Sequence, residues 1–267
     1  MINIILVGAC GRMGRAIARV VVNSSQYRLV WAKEAAGHQR IRTMIASEVM
    51  VRRGFPEHVK PNSVIVDFSS PQGTVEAVNF AKERNIPLVS GTTGLRESEV
   101  KLIHSASSSL PVFYSANMSL GVAVLSRLVK ECATVLKGKA NAEIVEYHHT
   151  GKIDSPSGTA LSLAGTIKEA FGDALFVFGR HGRTGPRKKE EIGIHAIRAG
   201  GIVGKHDVLF GLPEEVILLS HTALSRDAFA RGALEAAKFI VGKEPGYYTM
   251  SDLLEERIAH CGSSTAR

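Results

Sequence analysis

The sequence predicts an α/β fold made of a doubly wound parallel sheet and a smaller α+β domain with a mixed sheet. Two observations carry this prediction. Through the first half of the chain, short apolar runs alternate with segments of helical period, which is typical of βαβ units and a parallel sheet. After residue 117 this alternation changes, and residues 192–220 hold three strand-like runs without a helix between them. Such a series predicts a second sheet that is antiparallel or mixed.

The first half of the chain contains the alternating elements. The predicted strands are short runs rich in Val, Ile and Leu, at 2–7, 29–32, 63–68, 87–89 and 112–114. The predicted helices repeat apolar residues at helical spacing, at 12–22, 74–84 and 97–107. Residues 35–60 show no clear pattern, and we predict no element there.

The second half begins with longer elements. A helix is predicted over 122–136, a strand over 142–149 and a second helix over 157–171. The three strand-like runs that follow are 192–197, 203–210 and 216–220, and the chain closes with a helix at 228–240 and a tail at 250–258.

A basic segment, residues 179–189, interrupts the second half. It contains glycine and proline but no apolar residue that could pack, which predicts a mobile loop. We expect its cations to be solvated rather than to bind a ligand, and a lid over a substrate is the alternative. These cations are Arg180, Arg183, Arg187 and Lys188.

The composition is that of a soluble folded protein. The chain has 267 residues, of which 45% are hydrophobic and 22% are charged, and no run approaches the ~20 apolar residues of a membrane span. The amino terminus enters a strand pattern directly, without the features of a signal peptide. Cys10, Cys132 and Cys261 are odd in number and far apart, so we expect no disulfide framework and a cytoplasmic protein.

The formal net charge of +8 favours small anionic ligands. The positive charge is spread along the chain, and aromatic residues make up only 6% of it. A nucleic-acid-binding protein usually concentrates its cations on one face. We therefore expect no nucleic-acid partner and no membrane partner.

A glycine-rich turn between the first strand and the first helix predicts a dinucleotide site. Gly8, Gly11 and Gly14 give the spacing GxxGxxG. Glycine lets the chain turn tightly, lets the backbone approach a pyrophosphate and lets the helix pack close to the strand. The alternative interpretation is a plain strand–turn–helix connection that happens to contain glycines.

A carboxylate after the second strand strengthens that prediction. Glu34 lies twenty residues beyond Gly14, where an acidic residue accepts hydrogen bonds from the ribose hydroxyls of the adenosine. Glu34 should repel a 2′-phosphate, but Lys33, His38 and Arg40 are near enough in sequence to offset it. The choice between NADH and NADPH stays open.

The segment EYHHTGKIDSPSGTA, residues 146–160, predicts an acid–base and anion site. A strand delivers His148 and His149 to opposite faces, and Lys152 follows three residues later. Beyond a proline, residues 157–159 open a helix whose N–H groups and hydroxyls suit a carboxylate. Histidine and lysine beside an anion can supply protons at neutral pH.

Other readings of this segment are a structural histidine or a metal site. A histidine at the end of a strand is often structural, and two adjacent histidines can suggest a metal. Four other histidines of this half lack metal-ligand spacing and no cysteine is near, so we predict no metal. These histidines are His181, His195, His206 and His221.

Seven motifs together resemble those of the 4-hydroxy-tetrahydrodipicolinate reductases, formerly called dihydrodipicolinate reductases. The motifs are VGACGRMG, DFSSPQGT, SGTTG, SANMSLGV, EYHHTGKIDSPSGTAL, RAGGIVGKHDVLF and HTALSRDAFARGALEAA. The match as a whole runs from the first strand to about residue 253. The segment with two histidines is the most specific of them.

The resemblance implies a fold, a reaction and an assembly. The fold would be a Rossmann-type dinucleotide-binding domain formed by residues 1–119 and 227–267, with residues 120–226 as the domain for substrate binding and oligomerisation. The reaction would be reduction of 4-hydroxy-tetrahydrodipicolinate by NADH or NADPH with loss of water, giving tetrahydrodipicolinate in lysine and diaminopimelate biosynthesis. The assembly would be a homotetramer that binds a small dicarboxylate.

The resemblance also implies roles for residues at matching motif positions. His148 would be the proton donor and acceptor, and Lys152 the second proton donor. The substrate carboxylate contacts would be His149, Ser157, Gly158 and Thr159. The dinucleotide contacts would be Gly8, Ala9, Cys10, Gly11, Arg12, Met13, Glu34, Gly91, Thr92, Thr93, Ser115, Ala116, Asn117 and Met118.

Three positions depart from the family pattern. Some members carry an arginine after the acidic residue, whereas this chain has Ala35, which leaves the use of NADPH open. Some have an arginine in the DFxxP motif, where this chain has Ser70. Met118 replaces a frequent phenylalanine near the nicotinamide.

Two other functions remain as alternatives. One is a different NAD(P)-dependent reductase or dehydrogenase of amino-acid metabolism, for example one that acts on a semialdehyde. A thioester route would need a reactive cysteine in the second domain, but Cys132 falls in a helix pattern and Cys261 in the tail. The other is a dinucleotide-sensing regulator, which should carry a DNA-reading helix and a concentrated basic face.

Overall fold

The computed structural model describes residues 1–46 and 49–264, with side chains described as far as Cys261. The chain divides into two compact units. The first unit contains Met1–Leu120 and Arg226–Arg267, and the second contains Gly121–Ser225. In the described ranges no helix is both long enough and apolar enough to cross a membrane.

Strands and helices alternate along most of the chain. The strands are β1 Ile2–Val7, β2 Tyr27–Lys33, β3 Met44–Ile45, β4 Val49–Arg52, β5 Ser63–Asp67, β6 Leu88–Ser90, β7 Pro111–Tyr114, β8 Asn141–His148, β9 Leu175–Phe178, β10 Glu191–Arg198, β11 Gly204–Gly211, β12 Val216–Ala223 and β13 Gly246–Tyr248. The helices are α1 Arg12–Val22, α2 Pro71–Arg84, α3 Glu97–Ala106, α4 Leu120–Leu136, α5 Gly158–Phe171, α6 Asp227–Ile240 and α7 Met250–Ser264.

The first unit is built on an eight-stranded sheet in the order β13-β7-β6-β5-β1-β2-β4-β3. Its neighbouring strands pair in parallel, except that β3 is antiparallel to β4. From β1 the chain proceeds outward on one side through β2 and then returns to β5 on the other side. The strand order therefore reverses between β1 and β5, which is where doubly wound sheets bind ligands.

The apolar runs of the first unit form strands because both faces of its sheet are covered. In β1 the last four residues are buried without alternation, as expected of a central parallel strand. Ile5 and Val7 pack with α2 and α3 in one core, while Ile4 and Leu6 point to the opposite face. Both of these residues are also fully buried.

The second unit is built on a five-stranded mixed sheet in the order β12-β11-β8-β10-β9. β8 and β9 both pair in parallel with β10, and β11 is antiparallel to β8 and β12. The core of this unit contains Val129 of α4, Leu163 of α5, and Ile144 and Phe210 of the sheet. The predicted fold class, a doubly wound parallel sheet plus a smaller mixed sheet, is confirmed.

Some short strands were not predicted. β3 and β4 lie within residues 35–60, and β9 and β13 were also missed. These strands have two to four residues each, but length alone does not explain why they were missed, since the three-residue β6 was predicted. They lie at or near the edges of their sheets, where pairing with one neighbour rather than burial defines them.

The conformation of the turn after β1 predicts how glycine replacements change the free energy of unfolding. Gly8 has a φ of +77°, and the Cβ of an alanine would overlap the Phe68 carbonyl. Gly94 has a φ of +74° but has open space around it. We expect Gly94→Ala to cost about 1 kcal/mol through backbone strain, and Gly8→Ala to cost at least about 2 kcal/mol more through the overlap. Urea unfolding of both variants checks this, and equal losses would contradict the close approach at Gly8.

Candidate active site

The turn between β1 and α1 is fixed to the end of β2. The amides of Gly8 and Ala9 donate to the Lys33 carbonyl at 3.0 and 3.1 Å. The Cβ of an alanine at position 14 would overlap the Gly8 carbonyl and the Ala9 backbone, so α1 begins in close contact with the turn. Gly11 caps α1 without a side chain. The backbone therefore forms a cradle for a phosphate at the amino end of α1.

Glu34 lies against this turn. Its Oε2 accepts a hydrogen bond from the Cys10 amide at 2.8 Å, and its Oε1 accepts one from the Ala35 amide at 3.0 Å. Burial, followed by the Glu34 charge, raises the pKa of the Cys10 thiol. The carboxylate is thus held beside the cradle, as a contact with ribose hydroxyls requires.

A cluster of three potential metal ligands beside the turn was not predicted from the sequence. Cys10, Glu34 and His38 have ligand atoms within 4.8 Å of one another, a separation that could accommodate a metal ion. The Arg40 amide already donates to Nδ1 of His38 at 3.1 Å. The cluster escaped the sequence analysis because the pairing of β1 with β2 brings the thiol to the carboxylate.

A cavity of about 380 Å³ lies at the reversal of strand order. It gathers nine of the predicted dinucleotide contacts together with three side chains that were not predicted, Phe68, Ser69 and Phe229. The nine are Gly11, Arg12, Met13, Gly91, Thr92, Thr93, Ala116, Asn117 and Met118. A second cavity, of about 400 Å³ beside Trp31 and Arg52, contains none of the predicted residues.

A buried carboxylate organises the wall of the first cavity. Asp67, fully buried at the end of β5, accepts hydrogen bonds from the hydroxyls of Ser69, Thr74, Ser90 and Thr92. Thr92 Oγ1 in turn accepts a hydrogen bond from the Ser69 amide at 3.0 Å. The loops after β5 and β6 are therefore tied to one acceptor. The sequence analysis missed Asp67, although an acidic residue that ends an apolar strand before two serines is a signal.

In the second unit, β8 carries a buried ionic cluster. Its inward face alternates Ala142, Ile144, Glu146 and His148. Glu146 is fully buried and accepts hydrogen bonds from His148 Nδ1 at 2.5 Å, the Ser157 amide at 3.0 Å and the Arg198 guanidinium at 2.7 and 2.9 Å. The sequence analysis did not select Glu146. Its position two residues before His148 places it on the same face of a strand, which was the available signal.

These contacts determine the protonation states of the pair. Burial opposes ionisation of Glu146, but hydrogen bonds from Arg198, His148 and Ser157 outweigh it and hold the pKa of Glu146 below its ordinary value. Burial also lowers the pKa of His148, against the opposite effect of Glu146. His148 is therefore neutral at pH 7, its Nδ1–H donates to the Glu146 carboxylate, and its Nε2 carries a lone pair.

Lys152 and His149 lie on the turn after β8. The Lys152 ammonium donates to both carboxylate oxygens of Asp154 at 2.8 and 2.9 Å, and this bond lowers the pKa of Asp154. The Lys152 side chain is 20% exposed, and the His149 side chain is half-buried. Lys152 is therefore a cation with one exposed, exchangeable partner.

Ser157 caps the amino end of α5. Its Oγ accepts a hydrogen bond from the Ala160 amide at 3.2 Å and lies 3.0 Å from Nε2 of the buried His206. Burial, with the nearby His148, lowers the pKa of His206 to about 4. Gly158 is exposed and Thr159 half-buried. The start of this helix therefore offers an anion N–H groups and hydroxyls.

The expectation of fully solvated cations in residues 179–189 was wrong for two arginines. Arg180 and Arg187 both donate to the carboxylate of Glu143, and His195 Nε2 lies 2.8 Å from the same group. Burial opposes ionisation of Glu143, but these bonds lower its pKa to about 2. Arg180 and Arg187 thus attach the segment to β8. Glu143 lies on the face of β8 opposite to Glu146, so its carboxylate is paired with a different set of cations.

Fold and site together define a class of protein, the nicotinamide-dinucleotide oxidoreductases built on a doubly wound parallel sheet and a second, smaller unit with a mixed sheet. Comparison with known families specifies the class further. Residues 2–118 match the family described as dihydrodipicolinate reductase, N-terminus, and residues 121–254 match dihydrodipicolinate reductase, C-terminus. The chain belongs to the dihydrodipicolinate reductase family.

Individual relatives agree with this membership. The 4-hydroxy-tetrahydrodipicolinate reductase of Caldanaerobacter subterraneus subsp. tengcongensis is 43% identical over 257 residues, covering 96% of this chain and 99% of that protein. The enzyme of the same name from Clostridium novyi is 38% identical over 258 residues, covering 96% and 100%. The resemblance drawn from the motifs is confirmed, and the alternative functions are not favoured.

A solved structure shows the same fold. The dipicolinate-bound dihydrodipicolinate reductase from Paenisporosarcina sp. TG-14 superposes with a TM-score of 0.73 at 21% identity, covering 94% of this chain and 99% of that one. A probable dehydrogenase from Thermotoga maritima reaches a TM-score of 0.60 at 13% identity, covering 94% and 92%.

The buried His206 predicts a pH dependence of stability. Its pKa of about 4 in the folded state lies below the ~6.5 of an unfolded histidine. Between these values the unfolded chain binds more protons, so stability is complete above about pH 6.5 and is lost as the pH falls, by at most ~1.4 kcal/mol per pH unit. Urea unfolding at about pH 7 and about pH 5 should show a smaller loss in His206→Leu than in the wild type. The same loss in both would contradict a neutral, buried His206.

Proposed function

We propose that the residues described above perform the reductase reaction of the family, the reduction of 4-hydroxy-tetrahydrodipicolinate to tetrahydrodipicolinate with loss of water, in lysine and diaminopimelate biosynthesis. The single observation that carries the proposal lies in the second unit. There one strand, one turn and one helix start supply a neutral histidine held by a buried carboxylate, an ammonium group, and a capped helix that can receive an anion. The substrate is a small dicarboxylate.

The amino end of α5 binds one substrate carboxylate in this proposal. The N–H groups at Gly158 and Thr159 and the hydroxyl of Ser157 meet at the positive end of the helix dipole. His149 stands at the other end of the same turn and completes the contact. The four residues are the substrate contacts that the motif implied, and they come from one continuous segment of 149–159.

Lys152 and His148 transfer protons in the proposed reaction. Departure of a hydroxyl group as water consumes a proton, and the Lys152 ammonium is a donor that needs only to leave the exposed Asp154. The lone pair on His148 Nε2 can accept a proton, and the resulting imidazolium would be stabilised by Glu146 through Nδ1. His148 is thus suited to receive a proton and return it.

The cradle of the first unit is the proposed dinucleotide site, and the bound dinucleotide supplies the hydride when it is reduced. The turn would hold the pyrophosphate through Gly8, Ala9, Cys10, Gly11, Arg12 and Met13, and Glu34 would hold the ribose. The wall of the cavity would contact the nicotinamide half through Gly91, Thr92, Thr93, Ser115, Ala116, Asn117 and Met118. Close backbone approach at Gly8 and at residue 14 supports this fit.

We also propose that NADH binds at least as tightly as NADPH. Glu34 faces the turn and would repel a 2′-phosphate. Lys33, which could offset that charge, is buried and donates to Glu76 at 2.6 Å. Arg40 remains as a cation near this turn, whereas Ala35 offers none.

The proposed enzyme is a cytoplasmic homotetramer assembled through the second unit. Val216 and Leu218 are exposed on β12, and such apolar side chains on a sheet face support contact with another subunit. Among the residues that the structure describes, Cys10, Cys132 and Cys261 form no disulfide, which fits a reducing compartment.

The proposed reaction can be measured directly. Substrate generated in place by the preceding condensation enzyme should be reduced at the expense of either nucleotide, with loss of absorbance of the reduced nicotinamide. We expect kcat/KM with NADH to equal or exceed that with NADPH, because Glu34 disfavours the 2′-phosphate. Failure to oxidise either nucleotide would refute the proposed function, and a strong preference for NADPH would refute the role of Glu34.

Replacement of Lys152 separates chemistry from nucleotide binding. Lys152→Ala removes the ammonium and should lower kcat by about a hundredfold or more, with an unchanged Kd for NADH. Lys130→Ala, an exposed lysine on α4, is the matched control and should retain full activity. The assignment would be wrong if Lys152→Ala weakened NADH binding as much as it slowed turnover.

A further inference from the structure

His206 lies on β11 behind the start of α5, and its side chain has one polar partner in the described parts of the chain. The residue is 4% exposed. Its Nε2 is 3.0 Å from Ser157 Oγ, while Nδ1 has no hydrogen-bond partner among the residues that the structure describes. Burial of such a ring costs free energy unless its polar atoms form hydrogen bonds.

The unpartnered Nδ1 identifies the tautomer. The ring is neutral at pH 7, since burial lowers the pKa of His206 to about 4, so one nitrogen carries a proton and the other a lone pair. If Nε2 accepted a bond from Ser157, Nδ1–H would be a buried donor without an acceptor, which folded proteins avoid most strongly. The Nε2–H tautomer leaves only a lone pair unmatched. His206 therefore donates to Ser157.

This direction determines what the Ser157 hydroxyl can do. A hydroxyl has two lone pairs and one proton. One lone pair accepts from the Ala160 amide at 3.2 Å, and the other accepts from His206 Nε2. Both acceptor positions are then filled, so the hydroxyl can make a third hydrogen bond only as a donor.

We propose that His206 is a positioning residue that makes the Ser157 hydroxyl an obligate donor toward the substrate carboxylate. The proposal rests on the proposed function, in which Ser157 contacts that carboxylate. His206 touches no substrate itself, and it acts through a hydrogen bond that exists before the substrate arrives. Both lone pairs of this hydroxyl are engaged before an anion arrives at the start of α5, so little ordering is needed on binding.

Two amide replacements that differ in length by one methylene group test the proposal. Glutamine can place an amide N–H where Nε2 lies, whereas the shorter asparagine cannot reach Ser157. With pyridine-2,6-dicarboxylate as the probe and NADH-bound enzyme, calorimetry should give a Kd for His206→Gln close to that of the wild type. His206→Asn and His206→Leu should bind the probe about tenfold more weakly, with an unchanged KM for NADH. His195→Leu, on the opposite face of the same sheet, is the control and should bind the probe normally.

A double-mutant cycle distinguishes positioning from a merely structural role. Ser157→Ala should weaken probe binding, and adding His206→Leu to Ser157→Ala should weaken it no further, because the effect of His206 passes through the hydroxyl. Independent, additive losses would overturn the proposal, as would equal affinities of the glutamine and asparagine variants. If Ser157→Ala alone left the affinity unchanged, the proposed substrate site would fail and the role of His206 with it.

Discussion

The buried carboxylate of Glu146 is the interaction on which the second unit depends. An ionised group with no exposure to solvent is costly, and only a full set of partners makes it tolerable. Glu146 has such a set, because Arg198 supplies a two-pronged ion pair from β10, Ser157 supplies a backbone amide, and His148 supplies its ring. Removal of Arg198 would leave the buried charge uncompensated at a cost of about 3–5 kcal/mol.

The same contacts explain the chemistry proposed for the site. Glu146 fixes which nitrogen of His148 carries the proton, and so leaves the other as a base. It also holds the amide of Ser157, the residue that caps α5. One carboxylate thus positions both the group that is proposed to move protons and the helix start that is proposed to receive the anion. The first unit has a similar arrangement, because the buried carboxylate of Asp67 accepts hydrogen bonds from four hydroxyl groups beside the cavity.

The sequence predicted the features that depend on local pattern. The apolar run of β1 and the helical period of α1 could be recognised because burial on known faces repeats along the chain. The buried charges could not be recognised in this way. A polar residue at an inward position contradicts the local pattern, and the Arg198 ion pair that helps to stabilise it comes from 52 residues away in sequence. The attachment of Arg180 and Arg187 to Glu143 was missed for the same reason, because partners distant in sequence create it.

The proposed chemistry of the second unit requires that Glu146 is ionised and controls the imidazole of His148. The pKa of His148, followed by NMR of its ring through a pH titration, tests this in the wild type and in Glu146→Gln. The account predicts a lower pKa in the variant, because the carboxylate that favours the imidazolium is gone while Lys152 and Arg198 still oppose it. A pKa of His148 that is unchanged or higher in a folded Glu146→Gln protein would contradict it.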